Sequence, residues 1–316
     1  MKRLVAAMFL MLLATSAIAR DDYVKVGVLA YRGAYKAIHR WQPTVNVFKE
    51  KIPGHNFLLI PLNLEQLQQA VIHNDIDFVL TNPGFYYAMK NYGLKPLTSV
   101  INEVRGKGYD QFGAVIFTRR DRDDINSLED IKGKHFAAVD MNAFGGFQMA
   151  WREFKQVGIN PLTDFKPLDF IGVPMDKIVY MVNEGKADAG TVRTDLMERL
   201  ADNGKIQLSN FKILNQKQIK GFPFLLSTRL YPDWLFSKTT NTPGDLANKV
   251  RDVLQGIDRK SEASIKGKYI GWTSEARMED LLSMSIEELT QVNVDNKYKG
   301  IDQLMKELKI GPYKAD

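Results

Sequence analysis

The chain has no cysteine in 316 residues, which excludes disulfides, thiolate metal ligands and cysteine nucleophiles together. Its four histidines, His39, His55, His73 and His135, are scattered without metal-ligand spacing and read as surface or packing residues. After the amino-terminal segment no apolar run of about 18 or more residues occurs, so no later membrane span is expected. A G-x-S-x-G elbow, a Walker A loop, a G-x-G-x-x-G turn and an H-E-x-x-H helix are all missing. Asp75 and Asp77 precede a strand, and Asp121, Asp123 and Asp124 sit in the charge run Arg119 to Asp124, where solvation accounts for them. The signs in that run nearly cancel, so a nucleic-acid surface is not expected either. Catalysis thus has no positive support in the sequence, and neither a cofactor nor a metal is implied.

What is present is an ordinary globular composition, 45% hydrophobic, 25% charged and 10% aromatic. Its length suits roughly two domains of about 100–200 residues each. The formal charge is +6, from 43 Lys and Arg against 37 Asp and Glu. Met1-Lys2-Arg3 is a short basic start, Leu4 to Leu13 is apolar, and Ala17-Ile18-Ala19 is an A-x-A cleavage pattern followed by Arg20-Asp21-Asp22. This pattern predicts a secretory signal peptide over residues 1–19, cleaved after Ala19, and a periplasmic product. Cleavage removes Lys2 and Arg3 and no acid, leaving +4. A cysteine-free chain also suits an oxidising compartment.

Beyond residue 19 short β-rich runs alternate with segments of helical period. Val24 to Leu29 reads as a strand, and Lys36 to Lys51 as a helix with Ile38, Trp41, Val45 and Phe48 on one face. Phe57 to Pro61 and Asp77 to Leu80 are further strands, separated by a helix from Leu64 to Ile72. Asn82 is placed to cap a helix that runs through Met89 with Pro83 at its first position. Lys95 to Arg105 and Gln111 to Thr118 look like an extended hairpin. A second series follows, with a capped short helix at Ser127 to Asp130 and a strand at Lys134 to Val139. Asn142 to Gly158 is a turn feeding a helix, Phe165 to Phe170 a strand and Asp176 to Glu184 a helix. Ala187 to Val192 is then a strand and Thr194 to Asn203 a helix. Phe224 to Ser227 reads as a strand, and Asp245 to Ile257, Ser261 to Lys268, Ile286 to Asn293 and Ile301 to Leu308 read as helices. Such alternation predicts an α/β fold of two lobes with parallel sheets. Lobe 1 is expected over 20–116 and 225–316, and lobe 2 over 117–224 is inserted into it. The hinge strands are expected near Val115 to Thr118 and Phe224 to Ser227.

Three polar strand-to-helix turns carry the functional signal. They are Thr81-Asn82-Pro83-Gly84, the stretch from Val139 to Phe147, and Gly190 to Asp195. Gly145 and Gly146 would leave backbone N–H groups bare at a helix start, which suits an anion. They could equally serve close packing alone. Turns at strand C-termini converge where open α/β sheets bind ligands, so Asn82, Asn142, Phe144, Gly145, Gly146 and Thr191 are candidate ligand contacts. Tyr31 and Tyr86 add hydroxyl donors on aromatic walls, whereas Trp41 and Phe147 follow helical spacing and suit the core as well. Arg193 brings a guanidinium able to grip an oxyanion in bidentate fashion, unless Asp195 or Glu198 claims it.

These residues resemble the periplasmic phosphate, phosphite and phosphonate-binding (PhnD-type) class of type II solute-binding proteins. The resemblance rests on Gly27-Val28 with Trp41-Gln42-Pro43, on Asp77-Phe78 leading to Asn82 through Tyr86, on Ser127 to Lys134 and on Gly185 to Gly190. It runs from about residue 24 to 290. Thr81 to Gly84, Asn142 to Glu153 and Gly190 to Asp195 look more like the sensor modules of tetrathionate-sensor (TtrS-like) histidine kinases. The resemblance implies a type II periplasmic-binding-protein fold, with two lobes closing on a ligand by hinge motion and no chemistry. Phosphonate binders of the class carry Ser or Thr where this chain has Ala143, Phe144 and Gly145, and aminophosphonate binders carry an acid where it has Arg193. The resemblance therefore implies a small oxyanion without an amine, such as tetrathionate or a related sulfur oxyanion. The chain stops at Asp316 without a kinase domain, so the expectation is a free, monomeric periplasmic receptor. Its membrane partner would be an ABC permease or a sensor histidine kinase. An enzyme acting on the same oxyanion is the rival expectation.

Overall fold

Fourteen strands arrange in two main sheets and a short ribbon in the computed structural model, which describes residues 23–275, 277–281, 306, 308 and 309. The expected signal peptide and the helix expected from Ile286 to Asn293 lie outside the described residues, as does nearly all of the one from Ile301 to Leu308. Among the described residues no helix is long and apolar enough to cross a membrane.

The first lobe opens with β1 (Tyr23–Leu29), α1 (Ala34–Lys51), β2 (Asn56–Leu62), α2 (Leu64–Ile72), β3 (Phe78–Thr81) and α3 (Pro83–Met89). Then follow β4 (Lys95–Val104) and β5 (Lys107–Tyr109), with β6 (Gln111–Phe112) leading out of the lobe. The second lobe comprises β7 (Ala114–Arg119), β8 (Phe136–Ala138), α4 (Met149–Gln156), α5 (Pro161–Asp164), β9 (Leu168–Phe170), α6 (Asp176–Asn183), β10 (Ala189–Arg193), α7 (Leu196–Asp202) and β11 (Phe211–Leu214). The chain returns through β12 (Tyr231–Pro232) to β13 (Leu235–Lys238), α8 (Gly244–Gln255), α9 (Glu262–Gly267) and β14 (Tyr269–Trp272).

In the first sheet the strand order is β14-β4-β13-β3-β1-β2, with β5 on β4. β1 runs parallel to β2 and β3, whereas β13 is antiparallel to both β3 and β4. The second sheet, β11-β7-β10-β8-β9, is parallel at β10, β8 and β9 and antiparallel at β7 and β11. Helices cover both faces of each sheet, so the central strands are apolar on both sides. Phe78 and Leu80 join Val26, Val28, Trp41, Phe48 and Phe236 on one face of the first sheet, while Val79 faces Leu67, Val71 and Phe85 on the other. In β7, Ala114 and Ile116 join Phe136 and Phe154, and Val115 and Phe117 meet Ile178, Val182 and Phe211.

Several expectations change. Helix α1 buries Trp41, Val45 and Phe48 as expected, but Ile38 at the edge of that face is exposed and Ala37 is buried in its place. The extended hairpin does not form. β4 and β7 lie in different sheets, and β7 joins the second sheet from Ala114, so the lobe boundary expected after residue 116 falls inside a strand. Phe224 to Ser227 is not a strand. There the hydroxyls of Ser227 and Thr228 accept from the Ile116 and Ala114 amides at 2.8 and 3.0 Å, in place of a full backbone ladder. The ribbon that joins the lobes is instead β6 against β12, with Phe112 opposite Tyr231 and Gln111 opposite Pro232.

Candidate functional site

A cavity of about 430 Å³ opens between the lobes. Its walls are the loops that leave the C-terminal ends of parallel strands in both sheets. From the first lobe come Leu29 to Tyr31 after β1, Asn63 and Leu64 after β2, and Asn82 after β3. The second lobe gives Val139 to Gly146 after β8, Gly172 to Met175 after β9 and Arg193 at the end of β10. This is where open α/β sheets expose loop amides and helix starts.

Of the candidates read from sequence, Tyr31, Asn82, Asn142, Phe144, Gly145, Gly146 and Arg193 all line this cavity. Asn82 caps α3, its Oδ1 accepting from the Phe85 amide at 3.0 Å. The turn from Phe144 to Gln148 is a single π-helical turn in which the amides of Phe147 and Gln148 both donate to the Ala143 carbonyl. Asp140 takes the amides of Asn142 and Ala143 through its carboxylate and its carbonyl. Phe144, Gly145 and Gly146 follow Ala143, the first helical acceptor, too closely for their amides to bond within the turn, and all three residues line the cavity. Glycine is required here for packing as well. A Cβ on Gly146 would stand 2.4 Å from Val139 Cγ1, and one on Gly84 would stand 2.6 Å from Phe144 Cδ2 across the lobe boundary.

Two candidates lie elsewhere. Tyr86 is buried in the core of the first lobe with Leu67, Val71 and Met89, because it falls one residue deeper into α3 than the capping turn. Thr191 is fully buried in β10, two residues before Arg193 and hence on the same face but below the cavity floor. Its hydroxyl has no hydrogen-bond partner among the described residues.

Arg193 donates from Nη2 to Asp233 Oδ2 at 3.2 Å, has Asp195 at 3.9 Å, and lies with its guanidinium carbon 4.4 Å from the Phe112 ring centre. Burial opposes its charge, but the carboxylates of Asp233 and Asp195 outweigh that and hold its pKa above the ordinary arginine range. Glu198 is not its partner. That carboxyl instead accepts from the Leu225 amide, and burial raises its pKa. Asp233 itself is 2% exposed and also accepts from the Trp234 amide at 2.8 Å.

Trp234, Asp233 and Phe112 are the site residues that the sequence reading did not find. Trp234 packs against Tyr31 at 5.6 Å and against Trp41 at 6.5 Å, and forms a wall of the cavity. All three belong to the hinge ribbon and its flanks rather than to a strand-to-helix turn, and only the pairing of β6 with β12 brings them to Arg193. No group of three His, Asp or Glu residues able to hold a metal ion occurs among the described residues.

Comparison with known proteins agrees with this architecture. The family profile described as ABC transporter, phosphonate, periplasmic substrate-binding protein matches residues 26–281. The tetrathionate sensor histidine kinase TtrS of Salmonella typhimurium is 35% identical over 231 residues, which is 72% of this chain and 38% of that protein. The chain therefore spans well under half the length of that relative. Among solved structures, XAC2383 from Xanthomonas citri bound to ATP aligns with a TM-score of 0.68 at 14% identity, over 91% of this chain and 100% of the other. PhnD1 from Prochlorococcus marinus in complex with methylphosphonate aligns at 0.63 and 16% identity, over 91% and 98%. At these identities the structures speak to the fold, which is that of type II periplasmic binding proteins.

Proposed function

The chain belongs to the periplasmic substrate-binding family of phosphonate ABC transporters, and we propose that it captures a small oxyanion between its lobes and closes on it about the β6–β12 ribbon. The observation that carries this reading is the convergence of three strand-end turns from both lobes on one cavity, with the Phe144, Gly145 and Gly146 amides and Arg193 among its walls. Amides at a helix start supply directed donors and partial positive charge without a mobile side chain. Arg193 adds a full charge already oriented by Asp233 and Asp195. The anion would share that guanidinium with two carboxylates, which favours a ligand reaching it with one terminal oxyanion group over one that needs several cations. The aromatic walls, Tyr31, Phe112, Phe144 and Trp234, suit a ligand with a polarisable middle.

An extended sulfur oxyanion such as tetrathionate fits these terms, and the 35% identity to a protein named as a tetrathionate sensor supports the same choice. Ala143, Phe144 and Gly145 offer no hydroxyl to a phosphonate. The receptor acts without chemistry, as a monomer, and passes its ligand to an ABC permease or its closed shape to a sensor histidine kinase. Export by residues 1–19 with cleavage after Ala19 belongs to the same proposal, and amino-terminal sequencing of the periplasmic form tests it. A thermal-shift and calorimetric panel of phosphate, phosphite, methylphosphonate, thiosulfate and tetrathionate tests the ligand. Stabilisation by a sulfur oxyanion at micromolar to millimolar concentration is expected, and no response to any anion would overturn the reading. Turnover of a bound anion would replace it with an enzyme.

A further inference from the structure

Behind the wall that Tyr31 and Trp234 give to the cleft lies a second cavity of about 410 Å³, built by the first lobe and by Trp234 on the flank of the ribbon. It is bounded by the β1–α1 loop, the first two turns of α1 and the end of α9. Five cationic side chains line it, Arg32, Lys36, Arg40, Lys266 and Lys268, and no Asp or Glu does. Among the described residues none of the five forms an ion pair. Arg40 is anchored, donating from Nε to the Gly267 carbonyl at 2.9 Å and from Nη2 to Asn102 Oδ1 at 3.1 Å, and lying 4.5 Å over the Trp41 ring. The rings of Tyr31 and Tyr35 are exposed beside it, and helix α1 starts there with no side-chain cap.

We propose that this cavity is a second anion site, distinct from the cleft, for a soluble molecule bearing phosphate or sulfate groups with a charge of two or more. Like charges gathered without a counter-charge repel one another, and a multiply charged anion relieves all of those contacts at once. Arginine and lysine divide the task, the held guanidinium of Arg40 offering a fixed fork and the three exposed lysines adjustable point charges. Burial lowers the Arg40 pKa, with Arg193 and Arg32 adding to the effect against Tyr31 and Asp233. An anion in the cavity is therefore placed to add a counter-charge to a cation whose direct partners are all neutral. In the cleft, by contrast, Arg193 has its carboxylates in the structure already.

Calorimetric titration of the full chain with inorganic pyrophosphate at low ionic strength tests this site. The variants are Lys36→Gln/Lys266→Gln/Lys268→Gln, whose three side chains are exposed and outside the core, and Arg193→Gln in the cleft. Saturable binding is expected in the wild type, weakened roughly tenfold or more in the triple variant and changed far less in Arg193→Gln, which takes no lining side chain from the cavity. Equal affinity in the wild type and the triple variant, loss of binding in Arg193→Gln alone, or no pyrophosphate binding by the wild type overturns the second site. None of those results bears on the sulfur-oxyanion panel, which reports on the cleft and fails or succeeds separately.

Discussion

The cleft and the basic cavity are neighbours across one aromatic pair, Tyr31 and Trp234, yet they treat positive charge in opposite ways. In the cleft a single arginine is held by a buried aspartate and a second carboxylate, and the other donors are backbone amides and neutral side chains such as Tyr31 and Asn142. In the cavity five cations share the walls with no acid. The cleft is also a two-lobe site, completed only by loops of both sheets, whereas the cavity is built by one lobe and the flank of the hinge. The difference separates two designs for an anion. One aligns donors in advance and surrounds its single cation with carboxylates, so that shape and lobe closure select the ligand. The other concentrates charge, so that ionic strength and ligand valence dominate.

The largest expected effect comes from breaking the balance in the cleft. Asp233→Ala leaves a mostly buried guanidinium with only the more distant Asp195 and strips an acceptor from the Trp234 amide. Removing one partner of a buried pair is costly because the other charge stays behind, so a loss of about 3 kcal/mol is expected, read as a lower urea midpoint at unchanged slope. An unaltered midpoint would mean that the cleft's charge is not set by this pair. Next in size, Arg193→Ala should weaken an oxyanion in the cleft by about 1.5–3 kcal/mol, the worth of a charge-assisted hydrogen bond. Arg193→Lys should recover only part of that, since an ammonium keeps the charge and loses the fork. Calorimetry with the tightest anion of the panel checks both, and full affinity in Arg193→Ala would assign Arg193 to structure alone.

A smaller effect separates the two-lobe site from the one-lobe site. An alanine methyl at residue 84 would sit 2.6 Å from the Phe144 ring and 3.2 Å from Asn82 Oδ1, at the point where the start of α3 touches the second lobe. Overpacking of this kind costs about 1–2 kcal/mol, and Gly84→Ala should pay it by holding the lobes apart. Anion affinity in the cleft should fall while pyrophosphate binding in the cavity stays as it was. Equal losses at both would show that the strain spreads through the first lobe instead of opening the cleft.

Much of this arrangement was legible in the sequence, and what was not has physical causes. Helix α2 has its expected bounds because Asn63 and Gln66 form a reciprocal capping box, a purely local signal. Asn82 with Pro83 likewise announced α3. The glycine turn was visible, though its π-helical form was not, since that depends on two amides sharing the Ala143 carbonyl. Strands β11, β13 and β14 were missed because each is four residues long and owes its extension to pairing with β7 or β4, far away in the chain. Asp233 and Trp234 escaped for the same reason, reaching the cleft through a ribbon whose two strands lie more than a hundred residues apart. Tyr86 and Thr191 show the converse error. Proximity in sequence to a functional turn says nothing about which way a side chain points one residue further into the helix or two residues back along the strand.

The gentlest test concerns the surface link between the lobes. Arg105, in the turn between β4 and β5, donates through Nε and Nη2 to both carboxylate oxygens of Asp202 in α7, at 2.8 and 2.7 Å. The geometry is bidentate, but both side chains are about half exposed, and exposed pairs contribute little because water screens them and their side chains lose freedom. Arg105→Ala should leave the fold intact and change anion affinity in the cleft by less than about twofold. That small change should shrink further as salt rises, since the Debye length falls from about 10 Å at 0.1 M to about 3 Å at 1 M. Pyrophosphate binding in the basic cavity also weakens with salt, but it should do so identically in the wild type and in Arg105→Ala, because neither lobe needs to move to form that site. A salt-dependent difference between the two proteins at the cleft alone would mark the ion pair as part of lobe closure. The same difference at both sites would mean that the cavity, too, senses the position of the second lobe, and the distinction between a one-lobe and a two-lobe site would fall.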